Sequence, residues 1–273
     1  MPSLLPSRPI VALVAAAVFL GQPRPSAASE CPDGTHPLDA DRPDVTNSSL
    51  VVPRGSVQFE NGVNWAVYRD AQLFDGPETR VRVGLFRCGE LLFDVPNYVR
   101  TRDGATSSFS TPVISVKRQL FIESPTFSLS AAAGVGVPSR AIGSPDRGYT
   151  PYVQFPWSRS LDDEWSVNGM ATVTWSTVTK TLFESTLTIE HEFNNRGDLF
   201  AEYVGDYTKQ DRSSQVVDVG GGWHVTPTQQ VDFHLGAGLT RTAPRHYVGI
   251  GYSFRFDGVV ARHSGARAQV LRP

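Results

Sequence analysis

From Gly55 to Phe256 the sequence keeps one period, and that period is two. Val57, Phe59, Val63, Trp65 and Val67 take alternate positions, while Gln58, Glu60, Gly62 and Asn64 fill the others. Such alternation describes an amphipathic strand, not a helix. It returns at Val81-Val83-Leu85, Leu91-Phe93-Val95, Phe127 to Val135, Val153-Phe155-Trp157 and Trp165 to Trp175. Further stretches are Phe183 to Phe193, Leu199-Ala201-Tyr203, Val217 to Val225, Val231 to Leu239 and Val248 to Phe256. Between Phe109 and Leu120 the phase is ambiguous. The pattern predicts an all-β chain with twelve antiparallel strands, an even number.

Strand length separates two architectures that share this pattern. Many of the runs reach the ~9–11 residues that a tilted strand needs to span a bilayer, whereas strands of soluble domains average ~5–6. A soluble barrel or a pair of sandwiches would alternate as well, with the apolar face inward. The connections favour the membrane. One set is short (Arg87-Cys88-Gly89, Asn194 to Gly197, Thr226-Pro227-Thr228), and the other, from Asp70 to Glu78, Thr101 to Ser108 and Pro138 to Arg147, is longer. That asymmetry is the pattern of short periplasmic turns and longer outer loops. Aromatics gather at strand ends on the apolar phase (Trp157, Trp165, Trp175, Phe193, Tyr207, Tyr252, Phe254 and Phe256), as interfacial girdles require.

With lipid outside, the polar phase lines the lumen. The candidate pore-lining residues are Glu60, Arg80, Arg82, Asp94, Arg100, Glu184, Glu190, Glu202, Asp218, Asp232 and Arg255. Carboxylates outnumber basic groups among them, which favours cations and neutral solutes over anions. A closed ladder of ion pairs that only stabilises the wall is the competing reading.

The start of the chain reads as an address. Arg8 precedes an apolar run of 11 residues, Ile10 to Leu20, and Ser26-Ala27-Ala28 offers small residues for cleavage after Ala28. The run is far short of the ~20 residues of a spanning helix. Four segments follow: a signal peptide over 1–28, an extended periplasmic lead-in over 29–54, a barrel over 55–256 and a tail over 257–273. The whole chain carries a formal charge of −2, from 25 Lys and Arg against 27 Asp and Glu, so there is no basic footprint for nucleic acid.

Two further expectations concern the lead-in. Asp41-Arg42-Pro43-Asp44 puts a rigid bend beside a planar five-donor cation, so Asp41, Arg42 and Asp44 form a candidate plug in the periplasmic mouth. A solvated tail is the alternative. Cys31 in the lead-in and Cys88 in the turn after the second strand lie on one side of this topology, in an oxidising compartment, and are expected to form a disulfide.

Asp41-Arg42-Pro43-Asp44-Val45-Thr46, followed by Val52-Pro53-Arg54-Gly55-Ser56-Val57-Gln58-Phe59-Glu60, resembles the opening of the meta-pathway phenol-degradation family of outer-membrane barrels. Val95 to Arg100 and Gly249 to Phe256 are similar to its third and last strands. The chain departs from the family at Ser115-Val116-Lys117, where Gly-Val-Lys is usual, and in the tail beyond Phe256. The resemblance implies a passive channel or transporter in the bacterial outer membrane for small molecules, including aromatic or apolar ones. The implied partners are outer-membrane lipid, the barrel-assembly machinery and a small-molecule solute. A non-conducting structural barrel and a membrane lipid hydrolase are the alternatives.

The hydrolase reading needs a Ser nucleophile within reach of a His base. His191 and His246 fall on the lipid phase. His224 and His234 face inward on adjacent strands, but Gly220 and Gly222 flank His224 where a serine would be needed. No enzyme activity, cofactor or metal site is expected.

Overall fold

The computed structural model describes residues 31–102, 107–120, 124–138, 148–176, 181–194, 196–209 and 211–259. The expected signal peptide and most of the expected tail lie outside these residues. The described chain contains strands and turns with no helix.

Fourteen strands form one sheet. They are β1 (Val57–Val67), β2 (Gln72–Phe86), β3 (Gly89–Val95), β4 (Tyr98–Thr101), β5 (Ser107–Phe109), β6 (Val113–Leu120) and β7 (Phe127–Gly136). The rest are β8 (Thr150–Ser160), β9 (Trp165–Thr174), β10 (Leu182–Phe193), β11 (Gly197–Thr208), β12 (Ser214–Thr226), β13 (Gln229–Gly238) and β14 (His246–Phe256). Twelve of them, all but β4 and β5, close a ring through the antiparallel pairing of β1 with β14, from Val57 opposite Phe256 to Val67 opposite His246. Closure pairs each of the twelve ring strands on both sides along part of its length, and the free end of the sheet lies at β5.

Alternation decides which side chains face where. Gln58, Glu60 and Ala66 of β1 are buried inside, while Val63 and Trp65 point outward and are exposed. The same split runs round the ring, with Ile114, Leu187, Phe233 and Ile250 outside and Lys117, Thr188, Asp232 and Ser253 inside. A closed wall that is apolar outside and polar inside satisfies its backbone in lipid. The chain is an outer-membrane-type β-barrel.

The short-turn end includes the two-residue connections Arg87-Cys88 and Pro227-Thr228. Cys88 and Asn194 adopt positive φ there, each 57°, so the chain reverses in few residues. Aromatic pairs ring this end: Phe127 with Trp157, Trp165 with His191, and Phe193 with Trp223. Phe183 and Tyr207 pair at the long-loop end.

Three expectations from the sequence are corrected. Asp70 to Glu78 is not a loop, because β1 and β2 are joined by residues 68–71 alone and β2 continues through Gly76-Pro77. The pairing register shifts between Gly62 and Asn64, which moves the inward phase from Arg80 and Glu78 to Asp75 and hides the alternation. The third strand does not reach Arg100. It ends at Val95, well before the long-loop end of β2, and the overhanging edge of β2 is covered by the β4–β5 hairpin, with Leu73 to Gly76 paired to Thr101 to Tyr98. Arg100 therefore lies exposed on this hairpin opposite Phe74, outside the lumen. Thr101 to Ser108 is likewise not a simple loop, since Thr101 ends β4 and Ser107 and Ser108 begin β5.

Candidate functional site

The barrel is not empty. From Cys31, joined by a disulfide to Cys88, the lead-in enters at the short-turn end. Asp33 caps the first turn by accepting from Thr35, which holds its exposed carboxyl down at about 2. Leu38 N–H donates to the Pro227 carbonyl at 2.7 Å, and Arg255 donates to the carbonyls of His36 at 2.8 Å and Pro37 at 3.2 Å. The segment then makes a turn whose arms are tied together: Ser48 Oγ donates to Asp39 at 2.7 Å and Ser48 N–H to Asp41 at 3.0 Å. It returns along the β2–β3 wall, where Val52 N–H donates to Glu90 at 2.7 Å, and reaches β1.

Each arm of the turn meets a charged wall. On one side Arg82, fully buried, holds Glu90 at 2.9 Å, Glu60 at 3.0 Å and Asp41 at 3.2 Å. Lys117 reaches Asp41 at 3.2 Å and Glu90 at 3.5 Å, and Arg80 bridges Asp41 at 3.1 Å and Asp94 at 2.6 Å. Burial alone would raise the Asp41 carboxyl, but Arg82, Lys117 and Arg80 outweigh it and hold the group well below the usual carboxylate range. The planar fork of Arg82 spans three carboxylates with five donors in fixed directions, one more than the two that Lys117 reaches.

At the apex, Arg42 pairs with Glu78 at 2.7 Å and Asp232 at 3.4 Å. Its guanidinium lies over the backbone of Gly62 and Gly251, which face each other across β1 and β14, and a Cβ at either position would collide with it. These two glycines make room for the cation. Beyond the apex, the N–H groups of Val45 and Thr46 each donate to Glu202 at 2.8 Å, and Asn47 donates to Gln154 at 2.7 Å. Burial, then Glu202, Glu190 and Asp218, push the Asp44 carboxyl well above the ordinary range.

The turn divides the interior. A cavity of about 760 Å³ lies toward the short turns, lined by Ser124, Arg196 and His224 among others. A second, of about 680 Å³, lies toward the long loops, lined by Tyr68, Ser110, Pro244 and Tyr247 among others. Arg42, Pro43, Asp44 and Asn47 line both. Nine carboxylate residues and two arginines line the upper cavity, against five carboxylates and three arginines in the lower.

Glu60, Arg80, Arg82, Asp94, Glu184, Glu190, Glu202, Asp218, Asp232 and Arg255 all lie on the interior face, while Arg100 does not. Asp41, Arg42 and Asp44 lie inside the ring. His224 and His234 do not meet: His224 pairs in register with Gln230 and His234 with Gly220, and they line different cavities. Among the described residues no group of three His, Cys, Asp or Glu side chains is placed to hold a metal ion. Sequence reasoning missed Glu90, Lys117 and Glu78 as partners of the lead-in. Glu90 shares the phase of Asp94, which is the signal that could have found it.

Residues 40–256 match the family described as "Putative MetA-pathway of phenol degradation". The chain belongs to that family. Its fold is similar to an outer membrane channel from Pseudomonas putida F1, at 12% identity and a TM-score of 0.60, covering 83% of this chain and 100% of that one. It is also similar to the KdgM porin in complex with disordered oligogalacturonate (9% identity, TM-score 0.53, 74% and 99% covered). A third likeness is the NanC porin (9% identity, TM-score 0.51, 72% and 98% covered). No curated protein matches the chain in sequence.

Proposed function

We propose that this family member is a passive outer-membrane channel for small molecules, and that its lead-in is a plug that narrows the path. The observation that carries the reading is the shared wall: Arg42, Pro43, Asp44 and Asn47 stand between two cavities that open toward opposite ends of the barrel. The family membership and the likeness to outer membrane channels and porins support the channel. The carboxylate excess of the upper cavity favours cations and neutral molecules there. The two inward histidines, His224 and His234, lie in separate cavities and do not form a pair. The partners on this reading are the surrounding lipid, the machinery that inserts the barrel, and the solute.

Deleting residues 29–44 removes Asp41, Arg42 and Asp44 but leaves the wall intact. Single-channel recording of the refolded variant should show a conductance at least severalfold above that of the full chain. Equal conductance discards the plug. Conductance at background in both proteins discards the channel in favour of a structural barrel, which the dense hydrogen bonding of the lead-in would then explain.

A further inference from the structure

Two rows of the interior wall set like charges directly opposite each other. Glu184 faces Asp206 across β10 and β11, and Glu202 faces Asp218 across β11 and β12. Directly opposed like charges destabilise a sheet, so something must offset them. For Glu202 the offset is visible, because three donors from Val45 and Thr46 converge on it. Asp218 is different. The Tyr247 hydroxyl donates to Oδ2, but Oδ1 is buried with no partner, although the residue is only 4% exposed and lines the upper cavity. His234, 5% exposed and lining the same cavity, leaves Nδ1 without a partner as well. Buried polar atoms without a protein partner are met by water, an ion or a ligand.

We infer that the upper cavity is a binding site for a small organic cation, a primary amine on an aromatic or aliphatic body. Asp218 would receive the ammonium, and Glu184 and Asp206, four residues further along β11, add negative charge to the same cavity. The phenol ring of Tyr247 and the side chains of Val204 and Val216, which also line the cavity, would take the body. The volume, about 680 Å³, lies in the range of small-molecule sites. A bare divalent ion fits less well, since among the described residues no three ligating side chains converge. Arg42, the nearest plug cation, is already engaged by Glu78 and Asp232. The inference names the solute class for the lumen proposed above and so rests on that reading.

Three isosteric probes test it on the full mature protein in detergent, by titration calorimetry: benzylamine, benzyl alcohol and benzoate. Benzylamine should bind about tenfold or more tighter than benzyl alcohol, the value of one charge-assisted contact, and benzoate should show no heat. Asp218→Asn should erase most of that preference and Glu184→Gln, further along the wall, should lower it less, while Asp163→Asn in an exposed turn should leave it unchanged. Heat-modifiable gel mobility checks that the variants are folded, and the two site variants serve as independent tests. Equal affinity for benzylamine and benzyl alcohol, or a preference that survives Asp218→Asn, overturns the inference. So does loss of benzylamine binding in equimolar magnesium chloride, which would assign the site to an inorganic cation. The measurement needs no conduction, so a failed channel and a failed site give different results.

Discussion

At the scale of single residues, Arg82 organises the interior. It is fully buried, and its guanidinium touches Glu60 and Glu90 from the wall and Asp41 from the lead-in. Removing one partner of a buried ion cluster leaves the others uncompensated, at a cost of about 3–5 kcal/mol. Arg82→Met should therefore lower the unfolding midpoint in urea by that equivalent, and Arg82→Lys should recover only part, because the compact ammonium lacks the spread of the guanidinium fork across Glu60, Glu90 and Asp41. A loss below about 1 kcal/mol would show that water replaces the pairing. Alternation places Arg82 and Glu60 on one face at sight. It could not place Lys117, because Val113 lines the cavity while Ile114 and Val116 face outward, so apolar residues occupy both phases of β6. The missing period there is a consequence of a strand whose long-loop end packs inward on an apolar side chain.

At the scale of elements, the lead-in shows what a sequence without a period conceals. Its composition marks an extended segment, and the Arg-Pro step marks a bend, but its position is set by side chains far away in the chain. Glu60, Glu90, Glu202 and Gln154 take its backbone and side-chain donors. The β4–β5 hairpin was equally hidden, since it exists only because β3 stops short of the end of β2. The lead-in is also tied covalently. The bond between Cys31 and Cys88 closes a loop across a separation of 57 residues. In the chain-entropy account such a loop contributes about 4 kcal/mol through the unfolded state. Replacing both cysteines by serine should lower the midpoint of thermal unfolding, and treating the wild type with a reductant should reproduce the shift. It should also release the entrance of the lead-in and raise the frequency of open events in single-channel records. A reductant without effect on either measurement would show that the polar contacts beyond Leu38 hold the segment unaided.

For the whole molecule, the decisive quantity is which face meets lipid. Ile250 is 60% exposed, Val248 54% and Leu235 51%, all on the outward phase, while the inward phase buries Arg82, Lys117, Glu60 and Glu90 almost completely. A soluble protein with this arrangement would present an apolar belt around its whole circumference, far beyond the few hundred Å² that monomers tolerate. In a bilayer the same belt is the favourable surface, and the polar groups of the wall find partners across the lumen or in the lead-in. This level was the most legible in the sequence, because a period of two fixes the two faces of every strand at once, and twelve long strands with short and long connections in turn admit few closed forms. The corresponding test is physical. Mature protein should stay with the membrane pellet through high salt and carbonate, and after mild detergent extraction it should migrate faster on a gel unheated than boiled, because the closed ring resists the detergent that unfolds it. Recovery of most of the folded protein in the soluble fraction would mean that the apolar face is covered by protein, and both the channel and its cation site would fall with it.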